Sequence, residues 1–387
     1  MRATRAIVDL DVIAGNVLAL RRLAPPQTRL LAVVKADAYG HGAPQVAATA
    51  LKAGASVLGV ATVSEGVILR RCGITAPILL LGSIDRSDVR AAISANLEIT
   101  VAEPELLDVI EREAARESMP VALHVKIDTG LRRYGVLPAQ AVHLARRIDQ
   151  HIDLRLAGIS THFASSDEPD EPFTHQQYAV FQRVVADLAS AGIVPGCLHV
   201  SNSAALITGV GVEQGMVRAG IALYGMPPSD EVAAPDGVHP AMRLESRVAR
   251  VTPLEPGDSV GYNRTWRAEA PMVGVLAPIG YADGYRRGLF GKAWAGLHGQ
   301  RAPLLGRVSM DQTVFAVPPA VNVRVGDPIH LMGRPEDGAP AATDLAAMLD
   351  TNTYEILVAL RARIPRVYVR GGEMVAEKCV ETPPWEA

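Results

Sequence analysis

Apolar residues along this chain collect in short, nearly continuous runs: LLAVVK (30–35), VLGVAT (57–62), ILLLG (78–82), LEITV (97–101), VALHVKID (121–128), LRLAGIS (154–160), CLHVSN (197–202) and MVRAGIALYG (216–225). Continuous rather than alternating apolarity predicts strands covered on both faces, as in parallel sheets. Stretches with helical spacing lie between the runs, among them 12–23, 104–115, 139–148 and 176–191. Eight such strands with crossover helices predict a closed (β/α)8 TIM-type barrel, and a doubly wound open sheet would show the same periodicity.

The pattern changes at MPPSDEVAAPDGVHP (226–240), whose prolines, glycine and acidic residues read as a linker. Strand signals dominate beyond it, at 241–251, 272–280, 302–308, 312–317 and 328–333, with turns such as Pro256-Gly257-Asp258 between them and one helical pair around 345–360. The expected class is therefore α/β, with a barrel over 1–230 and a mainly β carboxyl-terminal domain over 231–387. The opening residues are expected to pair with that second domain, and the final ETPPWEA to fray. A length of 387 residues accommodates both parts.

Charge narrows the possibilities. The 38 basic and 41 acidic residues give a net charge of −3 without a basic stripe, which disfavours nucleic acid as a partner. Charges at Arg2, Arg5, Asp9 and Asp11 interrupt any signal-like apolar core, and no run is long enough to span a bilayer. The three cysteines, Cys72, Cys197 and Cys379, suggest neither a disulfide framework nor a zinc site. The expected setting is soluble, reducing and cytoplasmic, away from membranes.

Polar residues gather where the predicted strands end: Lys35 after the first run, Lys126, Asp128 and Arg133 at the fifth, His162 after the sixth, Asn202 and Ser203 after the seventh, Arg218 in the eighth. On a barrel these converge at one mouth, the face where ligands sit. Each has a plain structural alternative, such as a snorkelling lysine at Lys35 or a surface pair between Lys126 and Asp128. The set holds too few free carboxylates for a glycosidase pair, and the histidines His41, His124, His162, His175 and His199 fall in no metal-ligand spacing. A strand-end amine beside hydroxyls and small residues suits a phosphorylated aldehyde bound as an imine. Tyr39, Ser203 and the amides of Gly220 and Ile221 could then meet the phosphate.

The segments VVKADAYGHG, KIDTGLRRYG, THFASSD, HVSNSAA, VRAGIALYG, VGYNRTW, PIGYADGY, GRVSMDQ and TYEI, in this order, resemble those of the pyridoxal-phosphate-dependent alanine racemases over nearly the whole chain. That resemblance implies the barrel, the β domain and a head-to-tail homodimer whose active sites each borrow residues from the partner's second domain. It places pyridoxal 5'-phosphate on Lys35 and makes Tyr262 the opposing acid/base. Tyr39, His162, Asn202, Ser203, Arg218, Gly220, Ile221 and Tyr354 would surround the cofactor, with Arg218 facing the pyridine nitrogen and His162 beside it. Arg133 and the Met310 amide would hold the substrate carboxylate, and Tyr281 and Asp311 would line the entrance. A lysine placed like Lys126 is often carbamylated in the family; the alternative is an unmodified Lys126 paired with Asp128.

The implied reaction interconverts L- and D-alanine and supplies D-alanine for peptidoglycan. A guanidinium cannot accept the pyridine proton, which would favour rapid reprotonation over side reactions. Ala219 stands where many relatives carry proline, and Asn263-Arg264 where many have a small residue after the tyrosine. Alternatives are a racemase of another small amino acid such as serine, or a non-catalytic pyridoxal-phosphate-binding protein. A related decarboxylase fits poorly, since Arg218 replaces the glutamate expected there and no GGG run occurs.

Overall fold

The computed structural model describes residues 2–117 and 120–378, so the expected fraying of ETPPWEA lies outside the described residues. Two compact units emerge: a barrel unit of residues 12–38 and 43–239, and a β unit of residues 2–11, 39–42 and those from Pro240 onward.

Strand β1 (Arg5–Asp9) belongs to the β unit. In the barrel unit, eight parallel strands form a nearly closed sheet: β2 (Arg29–Val33), β3 (Val57–Val60), β4 (Ile78–Leu80), β5 (Glu98–Val101), β6 (Val121–Lys126), β7 (Leu154–Ser160), β8 (Leu198–His199) and β9 (Met216–Ala219). The spatial order runs consecutively from β8 back to β2, then β9. Each falls within, or one residue outside, a predicted apolar run. Side chains such as Ile99, Leu123, Val125 and Ile159 are fully buried, and each contributes about 1.5–3 kcal/mol over an exposed position. The expected ten-residue run 216–225 is a strand only to Ala219. Beyond Gly220 it tightens into a 3-10 turn, Ile221–Tyr224, anchored by the Tyr224 hydroxyl donating to the Val33 carbonyl at 2.8 Å.

The β unit holds a ten-stranded sheet. Its later strands are β10 (Met242–Arg247), β11 (Arg250–Leu254), β14 (Met272–Ala277), β15 (Trp294–Leu297), β16 (Gln300–Leu305), β17 (Thr313–Val317), β18 (Pro328–Met332), β19 (Arg366–Arg370) and β20 (Glu373–Lys378), while β12 (Ser259–Val260) and β13 (Trp266–Arg267) form a small hairpin. Strand β1 joins the sheet between β10, antiparallel, and β19, parallel. The single run expected at 241–251 divides at Val248-Ala249, because β10 pairs with β1 and β18 whereas β11 pairs with β14. Pro253 is tolerated in β11 because that strand lies at the sheet edge. The helical pair appears as Ala342–Met348 and Thr353–Ala359. Among the described residues no helix is long and apolar enough to cross a membrane.

Candidate active site

Lys35 follows β2, and the backbone after it turns the wrong way for L-residues. Ala36, Asp37, Ala38 and Tyr39 have φ of 52°, 53°, 56° and 51°, a left-handed turn that costs roughly 1–2 kcal/mol per residue. Polar contacts over-determine it. Glu65 accepts from the Ala36 amide at 2.7 Å through one oxygen and from the Ala61 and Thr62 amides through the other. Asp37 accepts from the Ala43 amide at 2.8 Å. Non-glycine strain of this kind gathers at functional sites.

The Lys35 amine has no hydrogen bond or ion pair among the described residues, and its pKa is lowered, first by burial and then by the charge of Arg133. Lys126 is similarly placed. Among the described residues its Nζ reaches only the Leu81 carbonyl, at 3.5 Å, and the Tyr134 ring, 5.7 Å to the centroid. Burial, then Arg218, Arg133 and Lys35, push it down to about 8. Arg133 acts on Lys35, Lys126 and His162 alike, whereas neighbouring Arg132 acts on none of them. No ion pair joins Lys126 and Asp128 among the described residues, against the alternative of a surface pair. Asp128 instead accepts from the Gly130 and Arg132 amides at 2.9 and 3.1 Å, shaping the loop that carries Arg133.

Arg218 is buried in β9 and fully employed on one side. Its guanidinium donates to the carbonyls of His199 (2.8 Å), Thr161 (2.9 Å) and Val200 (3.0 Å), and to the Nδ1 atoms of His199 and His162, both at 3.1 Å. Only its Nε–H lacks a partner among the described residues. The Arg218 amide donates to the Ser201 carbonyl at 3.0 Å, bridging the seam of the barrel between β8 and β9. Burial lowers its pKa to about 10, which leaves it cationic at neutral pH. His162 and His199 are driven well below the usual imidazole range, by burial first and the Arg218 charge second, and stay neutral.

Ser203 Oγ accepts from the amides of Gly220 (2.8 Å) and Ala222 (3.4 Å), while the Ile221 N–H is unpaired among the described residues. Asn202 caps the helix Ser203–Thr208 by accepting from the Ala205 amide at 3.0 Å, and also accepts from the Ser166 hydroxyl. Its carbonyl oxygen is thereby committed to the scaffold.

In the β unit, Tyr39 and Tyr354 lie with ring centroids 6.1 Å apart. Burial, then Tyr354, raises the Tyr39 phenol well above its ordinary value, so it remains a donor. Tyr262, Tyr281 and Met310 are exposed at 66%, 41% and 54%, large for side chains of their type. Tyr262 heads a tight turn in which Asn263 and Arg264 have φ of 62° and 50°, at the tip of the β12–β13 hairpin. The Met310 N–H is unpaired among the described residues, while the carbonyls of Ser309 and Met310 accept from the amides of Tyr281 and Ala282. Asp311 accepts from Arg363 at 2.8 Å.

Family models for the alanine racemase N-terminal and C-terminal domains match residues 8–228 and 241–368. The chain belongs to the alanine racemase family. The alanine racemase of Symbiobacterium thermophilum is 41% identical over 373 residues, covering 96% of this chain and 98% of that one. Solved alanine racemases superpose closely. That of Clostridium difficile gives a TM-score of 0.94 at 33% identity, covering 98% of this chain and 99% of its own. That of Bacillus anthracis, with bound L-Ala-P, gives 0.92 at 35% identity over 97% of both chains. The racemase family is a pyridoxal-phosphate family, and the donors here fit such a group: an unpaired amine at Lys35, a spare N–H on Arg218, and hydroxyl and amide donors near Ser203. Among the described residues no group of three or more His, Cys, Asp or Glu is arranged to hold a metal.

Three residues of this site were given no role in the reading above: Glu98, His124 and His199, although His199 opens the segment HVSNSAA. The available signal was period-two alternation, which puts His124 on the same face of β6 as Lys126.

Proposed function

We propose that the protein interconverts L- and D-alanine with pyridoxal 5'-phosphate, using Lys35 and Tyr262 of the partner subunit as acid/bases on opposite faces of the substrate. The observation that carries this reading is Arg218, whose one uncommitted donor among the described residues is Nε–H. A guanidinium donates to an unprotonated pyridine nitrogen and cannot supply a proton to it. The bound cofactor acidifies the Cα–H of the amino acid, and Arg218 limits how far that charge spreads.

Every other task falls to the chain. Lys35 would hold the cofactor's aldehyde, and its amine, with a depressed pKa, would exchange a proton at one face of Cα. Tyr262 exchanges one at the other face. Its exposure, with that of Met310 and Tyr281, supports a homodimer in which these side chains complete a second subunit's site. Arg133 and the unpaired Met310 amide would bind the substrate carboxylate. Ser203, the Ile221 amide, Tyr39 and Tyr354 would hold the phosphate, with the Gly220 amide joining them on leaving Ser203 Oγ, and Tyr281 and Asp311 would border the entrance. Lys126, neutral in a large fraction of molecules near pH 8, can attack carbon dioxide, lose a proton to solvent and become a carbamate anion opposite Arg133.

The test is a panel of L- and D-amino acids assayed for enantiomer conversion with added cofactor. Alanine should be the fastest substrate, with serine far behind. A cofactor-loaded protein that leaves every enantiomer unchanged would sink the proposal.

A further inference from the structure

A single file of side chains crosses the barrel interior below Arg218. His199 Nε2 lies 2.9 Å from His124 Nδ1, and His124 Nε2 lies 2.9 Å from a Glu98 oxygen. Glu98 begins β5 with its side chain 18% exposed, so the file ends at water. Its direction follows from the donors alone. Arginine only donates, so His199 Nδ1 must accept. His199 then carries its proton on Nε2 and donates to His124 Nδ1. His124 in turn carries its proton on Nε2 and donates to Glu98. Each imidazole is neutral and each has one permitted tautomer.

The scaffold is shaped for this file. Strand β7 lies between β6 and β8, and at Gly158 it carries no side chain. A Cβ there would overlap His124 Nδ1 and lie 2.7 Å from Cε1. The β6–β7 register shifts between Leu123 and His124, an irregularity that re-aims the imidazole. The two rings meet edge-on, centroids 5.1 Å apart at 72°. Burial alone would raise the Glu98 pKa, but the hydrogen bond from His124, with the charges of Arg155 and Arg29, lowers it, so the terminal acceptor stays ionised.

We infer that Glu98, His124 and His199 are positioning residues for Arg218: the donor-only guanidinium at one end and the carboxylate at the other select the same pair of tautomers, and without the carboxylate nothing holds the far end of the file against the swap that aims an N–H at Arg218. The role in catalysis rests on the racemase reading above; the tautomers do not. An imidazole in the other tautomer would aim an N–H at Arg218 and turn the guanidinium away.

The experiment uses 15N-labelled full-length protein without cofactor. In the wild type both His124 and His199 should read as neutral Nε2–H tautomers. In Glu98→Ala, which removes the acceptor, His199 should become a tautomer mixture. Glu98→Gln, whose amide oxygen can still accept, should keep the wild-type pattern and serves if the alanine variant does not fold. With pyridoxal phosphate and alanine added, loss of the visible cofactor band per turnover, which reports abortive amino transfer, should rise in Glu98→Ala and change little in Glu98→Gln. Wild-type tautomers in a folded Glu98→Ala, or tautomer mixing with no change in band loss, would overturn the inference. A protein that never binds the cofactor would instead contradict the racemase reading and leave the tautomer arm to decide the chain.

Discussion

Gly42→Ala tests how the strained segment after Lys35 is held. Gly42 has φ +96°, and a Cβ built there would overlap the Tyr368 hydroxyl oxygen and lie 2.8 Å from its Cζ. Two costs follow. The left-handed backbone costs an alanine roughly 1–2 kcal/mol, and forcing a methyl group against a packed ring costs about 1–3 kcal/mol. The Tyr368 ring is fully buried, so it has little room to yield. The expected loss is about 2–5 kcal/mol. Tyr368→Phe deletes the overlapping oxygen but leaves Cζ in place, so the double variant should recover part of the steric cost and none of the backbone cost. A favourable coupling of about 1–2 kcal/mol is expected between the two sites. Urea unfolding of all four proteins, compared at constant slope, measures it. A Gly42→Ala protein within about 0.5 kcal/mol of wild type, or strict additivity in the double variant, would refute the reasoning.

Lys35→Ala should abolish the visible band that forms when cofactor is added, and an unchanged spectrum would exclude Lys35 as its attachment point. Tyr262→Phe should slow turnover about 100- to 10,000-fold, with deuterium wash-in impaired more from L-alanine than from D-alanine; equal losses would refute opposite-face bases. Mixing Lys35→Ala with Tyr262→Phe should restore activity through heterodimers, and none despite shown subunit exchange would count against shared sites. The Lys126 pKa is about 8 when folded against 10.5 unfolded, so between those values the unfolded chain binds more protons and stability climbs with pH. In carbon-dioxide-free buffer, melting temperature relative to Lys126→Met should therefore rise from pH 8 towards 10, and a flat difference would contradict the shift.

Strand positions in the barrel were legible because burial on both faces leaves an unbroken apolar signature. Strands β12, β13, β15, β19 and β20 were not: β12 and β13 have two residues each, β19 carries an arginine at each end, and β20 is an exposed, charged edge. The residues at the strand ends were legible as a set, yet their roles came from the family resemblance. The left-handed turn at 36–39 was invisible, since one of its ties comes from Glu65, 29 residues beyond the Ala36 amide it accepts from, and the other, Asp37 accepting from the Ala43 amide, needs the turn already made. The Glu98–His124–His199 file escaped because a histidine without ligand spacing carries no local mark, and its meaning depends on a glycine one strand away.

Arg218 is also a fastener. Its guanidinium binds carbonyls at the ends of β7 and β8 across the seam where the sheet is least paired. A mutation that replaced it with a carboxylate, the simplest route towards a different cofactor chemistry, would also unlatch the barrel and confront those carbonyls with negative charge. For this scaffold, then, a change of cofactor chemistry at that position is coupled to the barrel's closure, because the three carbonyls would need other donors.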